Sequence, residues 1–189
     1  MMRTYQTPPN PFLMDPFESA DAKNIIKRHE FTVKFVGDRD LGTVLDIGER
    51  NPLTERFEKL KGLKIQNTIG DLDCLTLEGG YDSVFCFEVI EHLMNPLNLL
   101  LQIHSVLRPS GRLFLSTPKH KPHFLWGEHH FTEYDEKRLG ALIARAGFVI
   151  ERNAEFRTMP LWWHFLGIRP LIRIFNNSVF ITELRKAPR

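Results

Sequence analysis

The feature that most constrains the fold is a short apolar run between two glycines, followed at once by a helix-start signal. Residues 42–48 read GTVLDIG, and a β-branched run of this kind is typical of a buried strand. Proline at the first helical position loses no hydrogen bond, so Asn51-Pro52 predicts the start of a helix, and Gly62 predicts its end. The chain therefore passes from a buried strand directly into a helix.

The alternation of strand and helix continues along the chain. Apolar patterning predicts the remaining elements, with strands over 63–69, 81–87, 112–116 and 148–155 and helices over 96–107 and 133–146. Such alternation indicates an α/β fold with a parallel sheet and helices on both faces. A last strand over 179–184 follows a turn at 176–178, and this return predicts an antiparallel strand at the sheet edge.

The N-terminal part has a different pattern. Four prolines among residues 1–16 are incompatible with a regular element, so this segment is expected to form an extended arm. Apolar residues between Phe17 and Val36 recur at roughly helical spacing and predict one or two helices that cover a sheet edge. Residues 17–189 show no internal repeat and are expected to form one domain with this helical cover.

Composition narrows the partners and the compartment. The 25 Lys and Arg against 23 Asp and Glu give a net charge of +2 with interleaved signs, so DNA is not expected as a partner and RNA is disfavoured. Cys74 and Cys86 are too few for a disulfide framework, and the N-terminus lacks the apolar core of a signal peptide, which predicts a cytoplasmic protein. Gly167, Arg169 and Pro170 interrupt the most apolar stretch, so no membrane-spanning helix is expected.

Acidic residues stand at the ends of the first two predicted strands. Asp46 ends the first strand, and Asp71 and Asp73 follow the second. Open parallel sheets bind ligands at the carboxyl ends of their strands, where an acidic group accepts the hydroxyls of a ribose. A strand-end aspartate that caps its own loop and an ordinary acidic turn explain the same residues, so both interpretations stay open here.

The segment YDSVFCFEVIEHLMNP, residues 81–96, favours the ligand-binding interpretation of these aspartates. It resembles the signature of class I S-adenosylmethionine-dependent methyltransferases, particularly the small-molecule type similar to ubiquinone-biosynthesis enzymes. Residues 99–118 and 129–151 resemble the helices, the Pro-Gly turn and the strands that follow in that family. The resemblance implies a Rossmann-like methyltransferase fold and S-adenosyl-L-methionine as the cofactor.

The chain departs from the family pattern in two places. The first motif usually continues with two more glycines that let the backbone approach the cofactor, whereas Arg50 and Pro52 occupy those positions here. Cofactor binding is therefore expected to be weaker or differently built. The span from Asp46 to Glu88 is also shorter than usual, so a helix and a strand are expected to be missing and the sheet to be trimmed.

The resemblance also implies roles for individual residues. The cofactor-binding candidates are Asp46, Ile47, Gly48 and Glu49 near the methionine end, Asp71 or Asp73 with Leu72 near the ribose, and Phe87 near the methyl group. The catalytic candidates are Glu88, His92 and His130. His92 is a candidate general base, but methyl transfer from a sulfonium needs mainly alignment, so a reaction without a base stays open as well. The plainer alternatives are that Glu88 caps the next helix and that His92 is a buried structural histidine.

The spacing of Glu88, Glu91 and His92, with a later His129 or His130, is similar to the divalent-metal site of small-RNA 2′-O-methyltransferases. Carboxylates and imidazoles suit Mg²⁺, Mn²⁺ or Zn²⁺. Metal-free relatives share the Glu-x-x-Glu-His pattern, and no additional RNA-binding domain is visible in the sequence. No metal is therefore expected, and a metal-dependent RNA 2′-O-methyltransferase is kept as an alternative.

Two further segments bear on the methyl acceptor. The loop 117–131 is rich in His and aromatic residues and predicts either a substrate lid or an ordinary solvated loop. Pro160 to Phe175 predicts a peripheral membrane contact, a cover for a lipophilic substrate, or a helix packed on the sheet. The expected function is methylation of a small-molecule or lipid-like acceptor. Arg50 and Pro52 motivate a second alternative, a binding or scaffolding protein that keeps the fold without the cofactor.

Overall fold

The computed structural model describes residues 16–123, 126, 129–157 and 178–188. Within these residues, one six-stranded sheet is packed between helices. The helices are α1 (Pro16–Val36), α2 (Pro52–Lys61), α3 (Pro96–Val106) and α4 (Glu136–Arg145), and the strands are β1 (Val44–Asp46), β2 (Ile65–Asn67), β3 (Tyr81–Phe87), β4 (Leu107–Pro118), β5 (Phe148–Arg157) and β6 (Ser178–Lys186). A single 3-10 turn, Ile90–His92, follows β3.

The strand order in the sheet is β2-β1-β3-β4-β6-β5. The first four strands are parallel, whereas β6 is antiparallel to both β4 and β5. The predicted parallel sheet with an antiparallel last strand is therefore confirmed. The expected place of that strand at the sheet edge is wrong, because β6 pairs on both sides, with β4 and β5, and β5 is the edge strand.

The sheet is trimmed on its other side. Residues 68–80 contain neither helix nor strand, so the chain returns from β2 to β3 through a loop alone. This loop confirms that a helix and a strand of the usual pattern are missing. As a result, β2 is the edge strand, and it is only three residues long. A short edge strand limits the row of unpaired backbone groups available to another chain.

Helix α2 begins and ends where the sequence predicts. The Asn51 side chain accepts hydrogen bonds from the backbone N–H groups of Leu53 and Thr54, and the Thr54 hydroxyl accepts one from the Asn51 N–H. This reciprocal capping satisfies three backbone donors that the helix itself cannot use. Gly62 ends the helix in the left-handed conformation, with φ of 63°, which glycine adopts without strain.

Two apolar clusters hold the layers together. On one face of the sheet, α3 and α4 bury leucines and isoleucines such as Leu100 and Ile143. On the other face, α1 and α2 bury a more aromatic set, in which Phe57 of α2 packs on Phe85 of β3 with ring centroids 4.8 Å apart. Helices on both faces confirm the expected architecture, and both faces of the central strands are buried as parallel strands require.

Strand β4 is longer than the sequence predicts, because it begins at Leu107 rather than at Arg112. The turn residues 108–111 lie within the strand as an irregularity in its pairing with β3. Gly111 makes this possible, since a Cβ atom there would lie 2.8 Å from Leu107 Cγ and 3.0 Å from the Asp82 carbonyl oxygen. Turn residues therefore mark a bulge here and not the start of the strand.

A buried ionic cluster ties α1 to the antiparallel part of the sheet. Glu183 of β6 is fully buried and receives hydrogen bonds from Arg39, Arg112 and Arg152. The Arg152 guanidinium also stacks on the Phe35 ring of α1, 4.0 Å from its centroid. A buried charge needs compensating partners, and three guanidinium groups supply them to this carboxylate.

Several expectations fall on other residues. The N-terminal arm, apart from Pro16, and the segment Pro160 to Phe175 lie outside the described residues, so their predicted roles stay predictions. Among the described residues, no helix has the length and apolar character needed to cross a membrane.

Candidate active site

A cleft with a volume of about 470 Å³ opens at the carboxyl end of the parallel strands, between the sheet and α1. Asp46 of β1, Phe87 of β3 and Ser116 of β4 line it from the side of the sheet. Arg28 and Phe31 of α1 line it from the opposite side. This is the edge at which open α/β sheets bind their ligands.

The carboxylate of Asp46 is buried at the base of the cleft. Its Oδ2 atom accepts hydrogen bonds from the Thr54 hydroxyl at 2.5 Å and from Asn67 Nδ2 at 3.3 Å. Burial raises the pKa of the Asp46 carboxyl to about 6, although these two hydrogen bonds act in the opposite direction. The site thus holds a carboxylate whose charge the protein alone does not fully compensate.

The loop after β1 leaves open space beside Gly48. The Gly48 N–H donates to the Thr68 hydroxyl at 2.7 Å, its φ is 111°, and a Cβ atom built there would meet no atom within 4 Å. Arg50 does not line this space, because its guanidinium pairs with Glu58 at 2.5 Å and with Glu55 at 3.6 Å. The departure from the usual glycine pattern therefore does not block the cleft.

The aspartates of the loop after β2 accept hydrogen bonds from backbone N–H groups of the protein. The Asp73 carboxylate accepts hydrogen bonds from the backbone N–H groups of Met94 at 3.1 Å and Asn95 at 2.8 Å. Asp71 accepts one from the Asp73 N–H, and Leu72 packs against the apolar core. None of the three lines the cleft, so their role at a ribose stays a prediction.

Glu88 follows β3 with a φ of 55°, a conformation that is costly for a residue with a side chain. Ser116 holds it there, because the Glu88 N–H donates to the Ser116 carbonyl at 3.0 Å and the Ser116 hydroxyl donates to the Glu88 carboxylate at 2.9 Å. Arg28 of α1 reaches the other carboxylate oxygen at 3.2 Å. Glu88 does not cap α3, whose N-cap is Asn95.

Three polar side chains meet in one wall of the cleft. One carboxylate oxygen of Glu91 and one ring nitrogen each of His92 and His130 lie within 4.8 Å of one another. The His92 Nε2 atom is 4.0 Å from Glu91 Oε1, and the two imidazole rings meet edge to face with centroids 4.8 Å apart. Glu91 Oε1 is buried without a hydrogen-bond partner among the described residues. A carboxylate and two imidazoles form a donor set that suits a divalent cation.

Hydrogen bonds fix the state of both imidazoles. His92 Nδ1 lies 2.9 Å from the carbonyl oxygen of His129, which can only accept, so Nδ1 carries the proton. His130 Nδ1 lies 2.9 Å from a carboxylate oxygen of Glu133. In the neutral form, each ring therefore keeps a free lone pair on Nε2.

Burial raises the pKa of the Glu91 carboxyl well above its usual range, and the neighbouring carboxylates of Glu88 and Glu133 raise it further. Burial also raises the pKa of the Glu88 carboxyl, while Arg28 and Ser116 act in the opposite direction. Three carboxyl groups close to one another favour either a shared proton or a bound cation.

The structure brings together part of the residue set derived from the sequence. The candidates that line the cleft are Asp46, Ile47, Phe87, Glu88, His92 and His130. The candidates that do not line it are Gly48, Glu49, Asp71, Leu72 and Asp73. His92 is partly exposed, with 43% of its side-chain surface accessible, so it is not a buried structural histidine.

Sequence reasoning missed the contribution of α1. Ile25, Arg28, His29, Phe31 and Thr32 line the cleft, as do Asn51 and Leu53 at the start of α2. The helical spacing in α1 indicates an apolar face, but it does not show which side of the helix meets the ends of the strands. The Asn51-Pro52 helix-start signal did mark the N-terminus of α2, the end of the helix that lines the cleft.

This sheet order, with a reversed strand between β4 and the edge and a cleft over the ends of β1 and β3, is the architecture of Rossmann-like methyltransferases. NodS, an N-methyltransferase from Bradyrhizobium japonicum in complex with S-adenosylhomocysteine, has a TM-score of 0.62 at 13% identity, covering 94% of both chains. Magnesium protoporphyrin IX methyltransferase from Synechocystis PCC 6803 has a TM-score of 0.61 at 15% identity, covering 94% of this chain and 90% of that one. At these identities the likeness shows the fold.

The family model described as a methyltransferase domain matches residues 2–178, and the chain belongs to this family of class I S-adenosylmethionine-dependent methyltransferases. A ubiquinone biosynthesis O-methyltransferase from Xanthomonas euvesicatoria pv. vesicatoria is 26% identical over 128 residues, which cover 58% of this chain and 54% of the relative. The chain spans about a third to a half of the length of the curated relatives it matches first. S-adenosylmethionine is the cofactor of the family.

Proposed function

We propose that the protein transfers the methyl group of S-adenosylmethionine to an oxygen of a small apolar acceptor. The observation that supports this most directly is the cleft at the carboxyl end of β1 and β3, in which Asp46 and Glu88 stand beside Glu91, His92 and His130. Oxygen is proposed as the acceptor atom because the relatives with detectable sequence identity are described as O-methyltransferases.

The residues of the cleft fit the cofactor. The space beside Gly48 is open, and the Asp46 carboxylate offers a negative charge to a ligand that carries a sulfonium and an ammonium group. Asp46, Ile47, Gly48 and Phe87 would hold the cofactor, which supplies an electrophilic methyl group when bound. Glu49, Asp71, Leu72 and Asp73 remain candidates for the remaining contacts.

The chain's own residues then orient the acceptor. His92 and His130 each present a free Nε2 lone pair to the cleft, and either atom accepts the proton that a hydroxyl loses on methylation. Phe31 of α1 stacks on Phe156 of β5 with ring centroids 4.8 Å apart, which gives the acceptor an aromatic surface in the cleft. In-line attack needs mainly alignment, and contact with this surface would orient the acceptor.

The shape of the cleft also indicates the class of acceptor. The cleft has an apolar part of its lining, formed by Ile25, Phe31, Phe156, Val179 and Ile181, in addition to the carboxylates and imidazoles. A planar or lipid-like molecule with one hydroxyl at its end offers a partner to both kinds of lining. A peripheral membrane contact through Pro160 to Phe175, which lie outside the described residues, would give the protein access to a lipid-like acceptor.

S-adenosylhomocysteine is expected to bind with micromolar affinity and to stabilise the folded state. Since a ligand at 100 times its Kd adds about 2.7 kcal/mol, the expected rise in melting temperature is several degrees. Calorimetry and thermal unfolding measure both quantities, and transfer of a labelled methyl group to simple phenols tests the acceptor class. Failure of a folded protein to bind either form of the cofactor would replace this proposal by the binding-protein alternative.

A cation-dependent form of the same reaction is the second candidate, because Glu91, His92 and His130 converge with an unpartnered carboxylate oxygen. Glu91, His92 and His130 would hold the cation, which would supply Lewis acidity toward a hydroxyl of the acceptor. The cluster does not support an RNA substrate. Binding of a phosphate backbone depends on positive charge, and the chain has a net charge of only +2.

Substitution of His130→Ala is expected to weaken Mn²⁺ binding at least tenfold, because one of three ligands is lost. Paramagnetic resonance of free Mn²⁺ measures the affinity. His129→Ala is the matched control, since the side chain of His129 is not part of the cluster and its backbone carbonyl remains. Methyl transfer that is unchanged by chelators, in a protein that does not bind Mn²⁺, would remove the cation from the proposal.

A further inference from the structure

A second buried carboxylate stands directly behind the cluster. Glu133 is fully buried, and its Oε1 atom lies 2.9 Å from His130 Nδ1 and 3.4 Å from Lys121 Nζ. Its Oε2 atom has no hydrogen-bond partner among the described residues. Burying a carboxylate costs free energy unless the group is paired or hydrogen-bonded. The shortest such contact of Glu133 is with the His130 ring.

Backbone hydrogen bonds hold the chain in place on both sides of Glu133. The backbone N–H groups of Phe131 and Thr132 both donate to the Glu91 carbonyl, at 2.8 and 3.3 Å, and the His120 N–H donates to the Tyr134 carbonyl at 2.8 Å. Backbone bonds therefore already attach the segment on both sides of Glu133 to the rest of the site. The side chain of Glu133 contacts His130 and Lys121 in addition to these backbone bonds.

The effect of Glu133 on His130 follows from the chemistry of imidazole. A carboxylate at Nδ1 holds the proton on that nitrogen, leaves the lone pair on Nε2 and fixes the orientation of the ring. His92 reaches the same state by a different route, through the carbonyl oxygen of His129. The cleft therefore contains two imidazoles that are held in the same tautomer by separate partners.

We propose that Glu133 is a positioning residue that holds His130 with Nε2 directed to Glu91 and His92, so that the three side chains bind a divalent cation. The inference rests on the cation-dependent form of the proposed function. On its other side, Glu133 forms an ion pair with Lys121, whose Nζ atom lies 3.4 Å from Glu133 Oε1. Outer carboxylates of this kind typically change metal affinity by 10- to 100-fold.

The test combines Mn²⁺ affinity with a double-mutant cycle. E133Q keeps the shape of the side chain and removes its charge, and it is expected to raise the Kd for Mn²⁺ by 10- to 100-fold. In an H130A background the same substitution is expected to have no effect on the Kd, because Glu133 acts through His130. E136Q is the matched control, since Glu136 is an exposed carboxylate at the start of α4 and does not contact the cluster.

A spectroscopic measurement separates positioning from a purely structural role. In ¹⁵N-histidine-labelled protein without metal, His130 is expected to be a single tautomer protonated on Nδ1, and E133Q is expected to lose this exclusive state. An unchanged tautomer in folded E133Q, or a change in Kd that is fully retained in the H130A background, would overturn the inference. Wild-type protein that binds S-adenosylhomocysteine but not Mn²⁺ would overturn the cation part and leave the methyltransferase proposal intact.

Discussion

Asp46→Asn is expected to weaken S-adenosylmethionine binding roughly 10- to 100-fold and, at the same time, to stabilise the folded protein at neutral pH. The first effect follows from the loss of a carboxylate that faces a positively charged ligand at the end of β1. The second follows from burial, which raises the pKa of Asp46 from 3.8 to about 6. Residues of binding sites often lower the free energy of unfolding, as the buried carboxylate of Asp46 does here.

The pH dependence of the second effect has a definite sign. A carboxyl group whose pKa is raised on folding destabilises the folded state when it is ionised. The cost is absent below pH 3.8, grows between pH 3.8 and about 6, and is constant at about 3 kcal/mol above that range. Asparagine keeps the size of the side chain and an oxygen that accepts from Thr54 and Asn67. The variant should therefore be more stable than the wild type at pH 8 and equally stable near pH 3.5.

Urea unfolding at several pH values measures the stability difference, and calorimetry measures the affinity for S-adenosylmethionine. The wild-type affinity should rise between pH 5 and 7 as Asp46 ionises, whereas the affinity of the variant should change little. Asp38→Asn is a suitable control, because Asp38 is exposed and outside the cleft. A variant that binds the cofactor as tightly as the wild type would show that Asp46 is only a structural aspartate.

The parts of the fold that the sequence predicts well are those with local physical signals. Strand β3 and helix α2 begin and end as expected, because an uninterrupted apolar run, the Asn51-Pro52 cap and Gly62 each act through nearest neighbours. The start of β4 was misplaced for the opposite reason. Its turn residues pair with β3 through a bulge, and only the tertiary contact of Gly111 with Asp82 makes that pairing visible.

In the candidate site, too, residues with local sequence signals were predicted and residues brought together only by the fold were not. The end of β1 and the Glu-x-x-Glu-His segment are each contiguous in sequence, so Asp46, Glu88 and His92 could be predicted as residues of one cleft, which all three line. Arg28 meets Glu88 across 60 positions in the chain, and no spacing rule predicts such a pair. Glu133 was missed because the predicted helix over 133–146 includes it as an ordinary first-turn residue, whereas α4 begins only at Glu136 with Asp135 as its N-cap.

Glu183→Gln is expected to destabilise the protein by about 3 to 5 kcal/mol, because it removes the charge that compensates three guanidinium groups. Arg39, Arg112 and Arg152 would remain close together around a neutral amide at a fully buried position. Burial alone would raise the pKa of Glu183, but the hydrogen bonds from Arg39 and Arg112 outweigh it and lower the pKa below its ordinary value of 4.5. Urea unfolding with the slope held common to both proteins measures the difference.

The lowered pKa fixes how this difference changes with pH. A carboxyl group with a depressed pKa in the folded state stabilises the protein above its unfolded pKa, and this stabilisation is lost as the pH falls through the folded value. The gap between wild type and Glu183→Gln should therefore stay constant from pH 8 to about 5 and close only in stronger acid. Glu151→Gln removes a more exposed partner of Arg112 and should cost less than about 1 kcal/mol. Equal effects of the two substitutions would mean that the arginines are solvated without Glu183 and that the cluster does not hold α1 to the sheet.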